Sequence, residues 1–89
     1  FLPDVDSAYA LGSATLGWSG IFTSGDVLPT SDNSIDLGSP TQRFANIYTG
    51  DLHLKNDRGD WTVIEEDDYL SLRNNKSGKT FRLVMEEVG

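Results

Sequence analysis

The chain has 89 residues, 14 acidic against 7 basic, for a formal net charge of −7, and it contains nine glycines and no cysteine. Without cysteine there is neither a disulfide framework nor a thiolate metal site, so the usual staples of small folds are missing. The acidic balance repels phosphate backbones and anionic membrane surfaces, which sets nucleic-acid and membrane partners aside.

Length alone allows one domain at most. A monomer of this size removes only about 60–65% of its unfolded surface from water, so association between chains is the remaining source of buried area. No apolar run approaches the roughly 20 residues of a membrane span, and no stretch reads as a signal peptide. Phe1 in place of a start methionine fits a fragment or a processed piece of a longer chain.

Taken in order, residues 1–8 lack a clear period and contain Pro3, which fits an extended lead-in whose Phe1 and Leu2 pack on a neighbour. A unit then runs from Tyr9 to Thr23 and recurs from Ile35 to Thr49. Leu11/Leu37, Gly12/Gly38, Ser13/Ser39, Thr15/Thr41, Ile21/Ile47 and Thr23/Thr49 are identical pairs, and Trp18/Phe44 and Phe22/Tyr48 keep an aromatic at matching offsets. A fixed period of this size marks a unit that buries its apolar face by stacking on a copy of itself or on another chain.

The unit has a local mechanism. Gly38 permits a bend that a residue with a Cβ resists. Ser39 stands where an N-cap belongs, Pro40 at the first helical position and Gln42 three residues after the serine, a capping-box arrangement. Phe44, Ile47 and Tyr48 follow at i, i+3, i+4, so one helical turn would set them on a common face. Each copy therefore reads as bend, short capped turn, aromatic anchor and strand. Asp26–Pro29 is the expected strand after the first copy, confined to an edge or end by Pro29. Residues 30–34, Thr-Ser-Asp-Asn-Ser, form a turn by composition.

From Asp51 the texture becomes a β-meander. Asp51–Lys55, Asp60–Glu65, Tyr69–Arg73 and Lys79–Glu86 alternate, separated by turn-forming stretches at 56–59, 66–68 and 74–78. The alternation places Leu52 and Leu54, Trp61 and Val63, Leu70 and Leu72, and Phe81, Leu83 and Met85 on one face. Four such strands make a small antiparallel sheet with one face to bury and two open edges.

The run Asp36-Leu37-Gly38-Ser39, Arg43-Phe44, Asn46-Ile47-Tyr48-Thr49-Gly50-Asp51-Leu52 resembles repeats from the distal parts of tailed-bacteriophage tail fibres and tailspikes. The resemblance covers residues 9–56 well and the C-terminal third loosely. Gly17 stands where the second copy has Arg43, so a role for the arginine, such as pairing with Asp36, is not shared by both copies. The resemblance implies a homotrimeric, mainly β fold, intertwined or packed. Residues 1–50 would be the repeat-containing segment and 51–89 a C-terminal meander cap. On that reading, trimer and core packing fall to Leu11, Trp18, Ile21, Phe22, Leu37, Phe44, Ile47, Tyr48, Leu52, Leu54, Trp61, Val63, Phe81 and Leu83.

Catalytic and metal sites find little support. His53 is the only histidine, and Lys55 occupies the place a His-x-His pair would need, so a solvated strand position is favoured. Glu65-Glu66-Asp67-Asp68 has oxygen ligands but lacks the alternating spacing of a calcium loop, and adjacent carboxylates on a hairpin tip do not flank a sugar. No triad order, nucleophile elbow or phosphate loop occurs. No enzyme activity and no cofactor are expected. Tyr69, on the face opposite Leu70 and Leu72, and Asn74, Asn75 and Lys76 at a loop tip are the candidates for touching a receptor.

The expected function is a structural, non-enzymatic segment at the distal end of a phage tail fibre, holding three chains in register and presenting loops to a host. The location is the virion, extracellular after host lysis. A carbohydrate-binding tip that recognises a bacterial surface glycan or protein receptor is the first alternative. An assembly chaperone that registers the trimer is a second, although nothing reads as the long helix of the self-cleaving type. The end of a depolymerising tailspike with catalysis upstream is a third.

Overall fold

The computed structural model describes residues 2–89; the packing expected of Phe1 lies outside them. Contacts group the chain into two units, Phe1–Thr30 and Ser31–Gly89. The first unit contains neither helix nor strand among the described residues, and Asp26–Pro29 is irregular rather than a strand. Val27 and Leu28 are adjacent apolar residues without alternation, and no other segment pairs with them, so the backbone ladder that defines a strand is not made.

The second unit carries one antiparallel sheet in the order β1-β2-β3-β4: Leu52–Lys55 (β1), Asp60–Glu65 (β2), Leu70–Asn74 (β3) and Thr80–Arg82 (β4). The fold class is therefore mainly β, with no helix among the described residues. Strand pairing follows the sequence alternation. Leu52 opposes Val63, Val63 opposes Leu72 and Leu72 opposes Phe81, so one apolar row crosses all four strands. Leu54 opposes Trp61 on the same face, and the Trp61 and Phe81 rings lie 6.0 Å apart at a 42° tilt.

Asparagines close two of the hairpins. Asn56 Oδ1 accepts the amides of Arg58 and Gly59 at 2.8 and 3.2 Å. Asn74 Oδ1 accepts those of Lys76 and Ser77 at 3.0 and 3.3 Å. Such side-chain acceptors mimic a backbone turn and fix the loop length. The middle turn is held by the Glu66 amide on the Tyr69 carbonyl at 2.8 Å.

β4 is shorter than the alternation through Glu86 suggests. β3 begins at Leu70, and the Leu83 amide bonds to the Leu70 carbonyl at 2.9 Å. Beyond that bond β3 offers no further partner, so residues 84–89 run without a ladder although their pattern continues.

The capped helical turn is absent from both copies of the unit. Gly38 has φ +85° and Gly12 φ +88°, the left-handed region that favours glycine. After the second glycine the Ser39 amide donates to the Gln42 carbonyl at 3.0 Å, and the Gln42 amide donates to Ser39 Oγ at 2.9 Å. After the first, the Ser13 amide bonds to the Leu16 carbonyl at 2.9 Å and the Leu16 amide to Ser13 Oγ at 3.0 Å. The serine does satisfy the amide three residues on. Its own N–H goes to the main-chain carbonyl rather than to the glutamine side chain, which turns the chain back instead of winding it. Phe44, Ile47 and Tyr48 consequently follow in irregular, extended chain rather than on a helical face.

Among the described residues no hydrophobic side chain is buried in the single chain, and only Thr62 and Ser71, at 5% and 2% exposure, are. Leu52, Leu54, Phe81 and Leu83 on the apolar face are each exposed, as are the repeat residues Leu11, Trp18, Ile21, Leu37, Phe44 and Ile47. Phe22 and Tyr48 stand almost wholly in solvent, at 98% and 94%. Trp61 and Val63 are half-buried. A sheet of this size needs its apolar face covered to be independently stable.

Candidate functional site

Strand parity divides the second unit into an apolar face and a polar face, and each holds different candidates. On the polar face His53, Thr62, Arg73 and Thr80 form a row, and Ile64, Ser71 and Arg82 form the next. Thr62 and Ser71 lie on the two central strands, Thr62 between His53 and Arg73 and Ser71 between Ile64 and Arg82. That position, not hydrophobicity, buries them.

Asn75 ties this face together. Its amide donates to the Asp60 carbonyl at 2.8 Å. Its side-chain Nδ2 donates to Asp60 Oδ1 at 3.0 Å and to Thr62 Oγ1 at 2.9 Å. Thr62 Oγ1 in turn lies 3.2 Å from His53 Nδ1. The chain Asp60–Asn75–Thr62–His53 thus links β1, β2 and the β3–β4 loop. Asn75→Ala removes two side-chain donors beside a buried hydroxyl and is expected to lower stability by about 1–2 kcal/mol. Asn75→Asp should lower the urea midpoint further, because it also sets a second carboxylate against Asp60. Circular dichroism over a urea series measures both.

The four residues expected at a receptor surface differ in how free they are. Asn74 spends its side-chain oxygen on the loop and Asn75 spends its amide group on the sheet. Lys76 is exposed, its Nζ 3.4 Å from the Arg58 carbonyl. Tyr69 is half-buried, with the Arg82 guanidinium 4.6 Å from its ring centroid, a cation–π contact that covers one ring face. It borders a shallow hollow of about 410 Å³ with Asp68, Leu83, Val84 and Met85. A second hollow, of about 510 Å³, lies in the first unit between Leu2–Asp4 and Tyr9–Leu11.

The acidic turn at 65–68 is exposed, with Glu66 Oε1 accepting the Ser71 hydroxyl at 3.4 Å. Among the described residues no three His, Cys, Asp or Glu side chains converge as metal ligands, and no buried polar side-chain atom lacks a partner. No helix among them is long and apolar enough to cross a membrane. Asp36 and Arg43 are both exposed.

The Asn75 clamp and the buried Thr62 and Ser71 are what sequence reasoning missed. A second asparagine at a hairpin tip reads as one more turn former, and nothing local shows that its amide reaches back to β2. Only the strand register, which sets Asn74 opposite Trp61, brings Asn75 to Asp60. Compared with known proteins, the chain matches no family model, no curated protein and no solved structure.

Proposed function

We propose that this chain is a structural segment of a phage tail fibre, three copies of which associate through their apolar sheet faces and repeat units. One observation carries the reading: a well-registered four-stranded sheet whose entire apolar row is left without a core in the single chain. Surface this apolar and contiguous marks an interaction site in a protein that folds. The matching glycine–serine loops at 12–16 and 38–42 support the repeat, since both use the same two hydrogen bonds and the same backbone conformation. The role is mechanical, registering the chains, and requires no catalytic group and no cofactor. The virion is its proposed location.

A second reading, in which the segment itself touches a bacterial surface glycan or protein receptor, is favoured by the Tyr69–Arg82 hollow and the exposed Lys76. Three weak sites on one assembly would raise avidity without any new contact.

Light scattering on the purified chain across a concentration series tests the main reading. The expected result is a mass of three chains that persists on dilution. A folded monomer would overturn it and leave the apolar row to be explained by another ligand.

A further inference from the structure

We infer that Asn33 is a site of spontaneous backbone modification. Its side chain closes on the Ser34 amide and leaves an L-isoaspartyl link in the turn between the two copies of the repeat. The inference stands on the single chain and does not depend on how many copies assemble.

The chemistry sets the criteria. The amide nitrogen of the following residue, deprotonated by solvent base, attacks the asparagine Cγ. The Cγ–Nδ2 bond breaks, and the departing nitrogen takes up a proton and leaves as ammonia. Water then opens the cyclic imide. Opening at the Cγ carbonyl gives an ordinary aspartate, and opening at the main-chain carbonyl gives an isoaspartate whose backbone runs through Cβ and Cγ. A water enters, an ammonia leaves, and no oxidant is needed. Ring closure therefore needs a side chain that can rotate, an attacking amide not locked to another element, and a small follower.

The chain has five asparagines, at 33, 46, 56, 74 and 75, and four of them fail a criterion. Asn74 Oδ1 is held by the Lys76 and Ser77 amides, and its attacking nitrogen, the Asn75 amide, donates to the Asp60 carbonyl on β2 at 2.8 Å. Asn75 Nδ2 is held by Asp60 and Thr62, and its attacker, the Lys76 amide, donates to Asn74 Oδ1 at 3.0 Å. Asn56 Oδ1 accepts the Arg58 and Gly59 amides, and the Asp57 carboxylate opposes a negative charge on its own amide. Asn46 precedes Ile47, whose branched Cβ crowds the attacking nitrogen.

Asn33 differs on each count. Its follower is the small Ser34, and both residues are exposed in chain that belongs to no strand or helix. Among the described residues no hydrogen bond holds the Asn33 side chain. Its φ of +53° is one that asparagine adopts more readily than other residues with a Cβ. The place gives the reaction a structural effect, because residues 24–34 connect Thr23, the end of the first copy, to Ile35, the start of the second. An isoaspartate lengthens that connector by a main-chain carbon and sets a new carboxylate beside Asp32.

Ageing the protein in mildly alkaline buffer, native and unfolded in guanidinium, tests the assignment. Peptide mapping and labelled-methyl transfer by an L-isoaspartyl methyltransferase read the product. Asn33 is expected to convert at the same rate, within about twofold, in both states, since exposed loops open at almost no cost. Asn74 and Asn75 are expected to convert at least about tenfold more slowly in the native protein, the factor that two hydrogen bonds of ordinary net strength supply. Ser34→Val, with a branched Cβ at the attacking residue, should slow conversion at position 33 and leave the other four asparagines unchanged. The inference is overturned if folding protects Asn33, if Asn74 or Asn75 converts as fast as Asn33 in the native protein, or if Ser34→Val leaves the rate at position 33 unchanged. A product at position 33 that is aspartate without isoaspartate overturns it as well.

Discussion

Phe81→Glu is expected to dissociate the assembly and, with it, to remove the cover that the apolar face of the sheet needs. Phe81 ends the apolar row on β4 and is half exposed in the isolated chain, so a carboxylate there stays hydrated until another copy covers it. Covering it withdraws an unpaired charge from water, which costs several kcal/mol. A loss of about 3–5 kcal/mol per contact corresponds to about two to three and a half powers of ten in affinity. Arg73→Gln is the control, since Arg73 is exposed on the polar face of β3 and its loss should stay within about 0.5 kcal/mol. Sedimentation or light scattering reads the outcome. A Phe81→Glu protein that still associates like the parent would show that the apolar row is not the interface.

The sheet was legible because two independent signals agreed. Period-two alternation from Leu52 to Phe81 named the face, and Asn56, Gly59, Asn74 and Gly78 named the hairpins that fix the register. Where only one signal was present, the reading went astray. Alternation persists through Met85, but a strand needs a partner, and β3 supplies none past Leu70. Val27 and Leu28 had β-prone chemistry next to a proline but neither alternation nor a partner.

The glycine–serine loop failed for a different reason. Ser39, Pro40 and Gln42 are the same residues, at the same spacing, that open a capped helix. The two outcomes differ in where one N–H goes, and Gly38 decides that by adopting φ +85°. Sequence shows that a glycine is present, not which sign its φ takes. The loop-tip candidates show the complementary limit. Asn74, Asn75 and Lys76 share one composition signal for a receptor contact, yet the Asn74 side chain closes its own loop, long-range register commits that of Asn75 to the sheet, and Lys76 is left on the surface.

The ordered hairpins and the uncovered apolar face have a common physical cause. With no hydrophobic side chain buried among the described residues, their stability does not come from an apolar interior of the single chain. What it can do alone is set local geometry: Asn-closed hairpins, a polar clamp through Asn75, and serine loops after left-handed glycines. These elements fix where apolar side chains point, and association would then supply the burial. Mutations in this chain should accordingly fall into two classes, those that remove the interface and those that misdirect it.

Gly38→Val belongs to the second class and is expected to have the larger effect on folding. At φ +85° a β-branched residue is strained, and an added Cβ would lie 3.3 Å from the Gln42 carbonyl oxygen and 3.5 Å from Phe44 Cδ2. The backbone strain alone is about 1–3 kcal/mol. The crowding adds to it, because relieving the contact moves the carbonyl that the Ser39 amide needs. A total of about 2–3 kcal/mol would lower the melting temperature by about 10–20 °C for a domain of this size. Gly38→Asn should fall between parent and valine, since asparagine visits the left-handed region more readily. Gly50→Ala is the control, because nothing lies within 4 Å of its added Cβ and its φ is not positive. Gly12→Val should behave as Gly38→Val does, the contact to the Leu16 carbonyl being 3.1 Å. Calorimetry on the four variants settles it: if both valine variants melt with the parent, the serine loops are bystanders to stability, and the proposed registration of chains would need some other contact.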